Sequence, residues 1–210
     1  MNIEFPSFVE VLDFLGTFAF ATSGVRLAAN RRYDWFGALI AGAATAIGGG
    51  TLRDILLNVT PAWMSNPVYI IWIILAMAFV LRYAKYLLQF NYTIFILDSI
   101  GLGLFTVVGF DKAISLGMST WVAIIMGAIT GAGGGVIRDL LLNKTPMIFQ
   151  KEIYAMACVA GGFVYWGCLE IYLPVYIAQI LAGTFVVLLR IATVKYNITL
   201  PILPQIDHEP

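Results

Sequence analysis

The chain has 210 residues, 60% of them hydrophobic and 11% charged, with a formal net charge of zero and a mean hydropathy of +0.89. Soluble domains carry about 25% charged residues, so this apolar excess excludes a single soluble core and gives an all-α polytopic membrane protein. The neutral balance leaves no basic footprint for nucleic acid, and a lone histidine in the C-terminal tail, His208, excludes His-based catalysis and His-ligated metal sites.

A spanning helix needs about 20 mainly apolar residues. Seven segments qualify: 8–27, 34–57, 67–84, 92–112, 119–142, 152–171 and 172–191. The N-terminus carries Glu4 and Glu10 and no Lys or Arg. It lacks the basic region of a signal peptide, so the first apolar stretch is expected to stay in the mature protein. Short loops with Arg31, Arg32, Pro61 and Asn91 separate several spans, and the last two meet at a tight turn near Tyr172 and Pro174. Cys158 and Cys168 lie ten residues apart in one apolar segment. On one helix they would sit about 15 Å apart, beyond disulfide reach, and they read as small core residues. With the N-terminus outside, ten Lys and Arg from Arg26 to Lys195 fall on the inner side and only Arg53 and Lys112 on the outer. That bias predicts N-terminus out and C-terminus in, with residues 192–210 as a cytoplasmic tail. The three N-x-T matches read as chance.

The chain contains a repeat. "LDFLGTFAFATSG" (12–24) aligns with "LDSIGLGLFTVVG" (97–109), pairing Asp13 with Asp98 at an offset of 85. Without a gap, Thr45 meets Thr130, Gly48–Gly50 meet Gly133–Gly135, Arg53-Asp54 meets Arg138-Asp139, and Tyr69 meets Tyr154. Residues 8–84 form one unit of three spans and 92–171 a second, with the seventh helix over 172–191. An odd number of spans per unit inverts the second unit, a 3+3 inverted repeat that places a permeation or binding site between the units near the midplane.

The duplicated motif is "GGGTLRD" and "GGGVIRD". Each interior glycine costs about 1 kcal/mol of helix stability relative to alanine, so three together make a point where a helix can kink or unwind. Backbone freed there must face protein or a watery cavity. Its carbonyls would then be hard ligands for a partly dehydrated cation, and the positive end of a half-helix could hold a carboxylate. The alternative is packing, since small residues let membrane helices approach closely. Arg53, Asp54, Arg138 and Asp139 follow each triple glycine. They either snorkel and cap, or line opposite mouths of one pathway. Asp13 and Asp98 are expected to accept hydrogen bonds or an ion pair from the arginine of a broken helix. Thr45, Thr130 and Ser99 either line the cavity or bond back to their own helix.

Two GGG-x-x-RD helices at matching places in a seven-span chain of this length resemble the bacterial and archaeal members of the trimeric intracellular cation channel family. Related bacterial sequences are also filed as small membrane proteins with a proposed glycine-transporter role. The resemblance covers essentially the whole chain. It implies a homotrimer in the cell (inner) membrane, with one pore per protomer. Spans 2 and 5 would be kinked at Gly48–Gly50 and Gly133–Gly135, and Arg53, Asp54, Arg138 and Asp139 would occupy the matching pore positions. The implied permeant ions are potassium or sodium, with no cofactor. Vertebrate members carry a Lys-containing motif near the first break, where this chain has "TLRD", so their lipid or calcium regulation is not implied. The competing reading is a transporter of a small zwitterion such as glycine, in which an arginine holds the carboxylate. No His, Cys, Ser or paired-Asp constellation suggests an enzyme.

Overall fold

A computed structural model describes residues 7–89, 92–150 and 153–199. The helices are α1 (Phe8–Asn30), α2 (Trp35–Leu56), the single turn α3 (Ala62–Ser65), α4 (Val68–Gln89), α5 (Tyr92–Ser115), α6 (Thr120–Leu141), α7 (Ala155–Glu170) and α8 (Val175–Lys195), with a 3₁₀ turn at Met147–Phe149. Local sequence sets their ends. Ser7 and Glu10 form a reciprocal cap on α1, and Asp34 Oδ1 accepts the Gly37 N–H at 2.6 Å at the start of α2. Asn58 and Asn143, at equivalent repeat positions, end α2 and α6 in left-handed backbone with φ of 55° and 51°. Asparagine tolerates that region better than most residues.

Six of these helices are long and apolar enough to cross a membrane, and α7 is a shorter apolar helix of 16 residues. At 1.5 Å per residue α7 is about 24 Å long, less than a bilayer core of about 30 Å. The expected sixth span, 152–171, is therefore shorter than predicted. Pro146 and the 3₁₀ turn after it occupy the chain just before α7; residues 151 and 152 lie outside the described residues.

In the packing, α1 contacts α2, α4 and α5, while α6 contacts α2, α5 and α7, and α8 covers α5 and α7. At the centre, positions 85 residues apart exchange contacts. The Phe20 ring fills the notch left by Gly101, and the Phe105 ring fills the notch at Gly16. The two rings meet edge to face at 5.1 Å. Where α2 crosses α6, the Thr130 carbonyl sits against Gly49 and the Thr45 carbonyl against Gly134. A Cβ at any of these four glycines would fall inside 3.0 Å of its neighbour.

The helices do not unwind at the triple glycines. Both α2 and α6 remain helical through Gly48–Gly50 and Gly133–Gly135. Among the described helices, the residue with non-helical dihedrals lies instead in α4, at Tyr83. The physical reason is the crossing. Helix–helix contact at Gly49 and Gly134 offsets the low helix propensity of glycine, and the backbone keeps its own hydrogen bonds.

Candidate functional site

Each Arg-Asp pair sits in the last turns of its helix and makes the same local structure. Arg53 Nε donates to Asp54 Oδ1 at 2.8 Å, and Arg138 Nε to Asp139 Oδ1 at 2.9 Å. The other carboxylate oxygen anchors the next turn. Asp54 Oδ2 accepts the Ala62 N–H at 3.0 Å, and Asp139 Oδ2 accepts the Met147 N–H at 3.2 Å. The aspartates thus cap the short turns after α2 and α6.

The two halves then diverge. In the second, Arg138 Nη1 also donates to Asp98 Oδ1 and to Ser23 Oγ at 2.9 Å. The guanidinium and Asp98 are completely buried, and Asp139 nearly so. In the first half, Asp13 accepts a hydrogen bond from the Tyr69 hydroxyl, and Arg53 Nη1 has no protein partner. Tyr154, the counterpart of Tyr69, leaves its hydroxyl without one. Two sequence differences track this asymmetry. Ser23, which holds Arg138, corresponds to Val108. Arg190 of α8 lies over the Tyr154 ring at 5.0 Å and the Phe95 ring at 5.2 Å, and donates to the Ile153 carbonyl at 3.1 Å.

A cavity opens at the first half. A vestibule of ≈ 590 Å³ lies between the N-terminal end of α1 and the C-terminal end of α5, with Glu10, Asp13, Arg53, Tyr69, Asp111 and Lys112 in its wall. Asp13, Arg53, Ala62 and Tyr69 also line an inner recess of ≈ 20 Å³, which reaches Thr17, Gly50, Phe105 and Thr130. Such a space admits about one water. Thr17 Oγ1 and Arg53 Nη1 are buried without protein partners at the recess, so water entering there would find groups to bond.

The structure brings Asp13, Gly50, Arg53, Asp54 and Thr130 to this recess. The others sit elsewhere. Thr45 donates to the Ala41 carbonyl of its own helix at 2.6 Å, a bond that Thr130 at the recess also makes, to Met126. Gly48 faces the Ile137 side chain and Gly135 the Tyr154 hydroxyl, while Gly133 borders an apolar groove with Leu52 and Ile125. Ser99 is buried and its Oγ has no partner. Sequence reasoning missed Thr17, Ser23, Arg190, the Phe20–Phe105 pair and the two tyrosines. The repeat alignment carried a signal for four of these, since Phe20 matches Phe105 and Tyr69 matches Tyr154.

The tyrosines give a paired test. Tyr69→Phe removes a buried hydrogen bond to a carboxylate and should cost about 1.5–3 kcal/mol. Tyr154→Phe removes a hydroxyl that bonds nothing in the protein and should be close to neutral. Thermal unfolding of the two purified variants in one detergent checks this; equal losses would contradict the asymmetry.

A family model described as "Glycine transporter" matches residues 10–85 and again 95–170. The chain is 37% identical over 199 residues to the UPF0126 inner membrane protein YadS of Escherichia coli K12, covering 90% of this chain and 93% of that protein. The TRIC trimeric intracellular cation channel orthologue from Rhodobacter sphaeroides has the same fold, with a TM-score of 0.85 at 30% identity over 90% of this chain and 98% of that one. A prokaryotic TRIC channel solved in 0.5 M KCl gives a TM-score of 0.83 at 35% identity over 91% and 98%.

Proposed function

The chain belongs to the bacterial and archaeal trimeric intracellular cation channel family, which also bears the UPF0126 and glycine-transporter names, and on that premise we propose that it is a potassium-conducting channel with one pore per protomer. It is a multi-pass inner-membrane protein that assembles as a homotrimer. The observation that carries the reading is the polar vestibule. It narrows through Asp13 and Arg53 into a recess that ends at Thr130 and Phe105, where the two repeats cross. Beyond it lie the Phe20–Phe105 pair and the sealed Arg138–Asp98–Asp139 cluster, as in a pore shut at its second half.

The path runs between two inverted repeats, 8–84 and 92–171, with the vestibule on the outer face. The exchanged contacts at Gly16, Gly101, Gly49 and Gly134 support this arrangement, because a two-fold axis makes each contact occur twice with partners swapped. The double match of the family model supports it too. The arginines do not obstruct cation flow as bare charges. Arg53 is paired with Asp54, and Arg138 with both Asp98 and Asp139.

Purified protein in planar bilayers under a potassium gradient should show discrete current steps reversing near the potassium equilibrium potential. Silent bilayers together with saturable glycine uptake in vesicles would replace this reading with the transporter.

A further inference from the structure

The wall of the vestibule contains one carboxylate that no motif marked. Asp111 of α5 accepts hydrogen bonds at Oδ1 from the Tyr165 hydroxyl of α7 at 2.8 Å and from Gln179 Nε2 of α8 at 3.1 Å. Tyr165 and Gln179 are themselves buried, and the Tyr165 ring stacks on Phe110 at 4.4 Å. Both donors are neutral, and no Lys or Arg lies within ion-pairing distance of Asp111 among the described residues. Its carboxylate is therefore fixed in position and not ion-paired. The other acids of the vestibule and its inner recess are differently placed. Glu10 is tied into the α1 cap, Asp13 takes the Tyr69 proton donor, and Asp54 is paired with Arg53. Lys112 also faces the vestibule, but its ammonium is strongly hydrated on a flexible stem.

The equivalent position in the first repeat is Arg26, which is buried and donates from Nε to the Leu87 carbonyl at 2.6 Å. The acidic clamp thus belongs to one end of the molecule only. Gln179, one of its two donors, comes from α8, the helix outside the repeat.

We infer that Asp111 is the residue that concentrates cations at the vestibule mouth and favours them over anions there, an assignment that rests on the channel reading for its role in conduction. A cleft with low-dielectric walls focuses the field of a fixed charge and raises the local concentration of counter-ions. Current carried inward from the vestibule side is then larger than current in the reverse direction when salt is dilute.

The test reads the local potential separately from conduction. Ser115 is exposed in the vestibule one turn beyond Asp111, and the two native cysteines are buried. S115C is modified in proteoliposomes with a cationic and an anionic methanethiosulfonate, with and without Asp111→Asn. At about 10 mM salt the cation-to-anion rate ratio should fall roughly fivefold in D111N, and the difference should vanish near about 1 M. Asp111→Glu should keep the ratio high, and Lys112→Gln should raise it. In bilayers at low salt, D111N should cut current entering from the vestibule side by about twofold. A ratio that D111N leaves unchanged overturns the assignment, even in a protein that conducts. If the ratio falls but the wild type carries no current, the channel reading fails while Asp111 stands as the charge that sets the potential of this mouth.

Discussion

Arg138→Gln should lower the stability of the protein by about 3–5 kcal/mol, the cost of breaking a buried ion pair by removing one partner. The substitution leaves Asp98 completely buried and Asp139 nearly so, with no cation for either. It also removes the bond to Ser23 that ties α6 to α1. For a chain of this size the unfolding midpoint should drop by roughly 10 °C. Neutralising the orphaned acid as well should help, so R138Q/D98N should be more stable than R138Q alone. If the cluster closes the second half of the path, the double variant should also open more often than wild type in bilayers under a potassium gradient. Thermal melts and single-channel records on the same preparations decide both points. A single variant as stable as wild type would mean that the buried pair contributes nothing, and unchanged opening in the double variant would remove the cluster from gating. The first half responds differently, because Arg53 bonds one carboxylate and sits at a cavity that water can reach. Arg53→Gln should cost less than Arg138→Gln.

Gly49→Ala and Gly134→Ala should each cost about 1–3 kcal/mol or more, as overpacking does in a tight interior. The obstacle is a carbonyl of the opposite helix, Thr130 for Gly49 and Thr45 for Gly134. A backbone cannot turn aside as a side chain can, so α2 and α6 must move apart. The controls lie nearby. At Gly50 the nearest neighbour of a Cβ would be Arg53 Nη2 at 3.6 Å, and at Gly167 nothing lies within 4 Å. Alanine at Gly167 should stabilise its helix by up to about 1 kcal/mol. Size-exclusion profiles after graded heating would rank the four variants. Equal tolerance at Gly49 and Gly50 would contradict a role for the triple glycine in helix crossing.

That contrast also shows where sequence stopped being informative. The helices were legible because apolar runs of spanning length punctuated by Arg, Asn and Pro leave few alternatives, and the expected ends lie within a few residues of those observed. Charged residues inside spans singled out Arg53, Asp54, Arg138 and Asp139 as sites of special chemistry, since burial there needs partners. Which partner each one takes was not legible. Asp13 and Asp98 are identical in the repeat, yet one takes a tyrosine and the other an arginine. That difference follows a single hydroxyl at Ser23 and a guanidinium contributed from far along the chain by Arg190. Three glycines in a row carry the same signature for a loosened helix and for a close crossing. The choice depends on what lies opposite, and here it is a carbonyl of the other repeat.

The exchanged aromatic rings have a consequence for biosynthesis. The notch at Gly16 is filled by Phe105 and the notch at Gly101 by Phe20, so each repeat holds the filler for the other. A ribosome adding about 5–20 residues per second needs roughly 4–17 s to extend the nascent chain from Phe20 to Phe105. Until α5 is made, α1 has its notch at Gly16 unfilled and open to lipid or to an insertion partner. Membrane insertion and final packing are therefore separate events for this chain, and a translational pause before α5 would prolong the exposed stage.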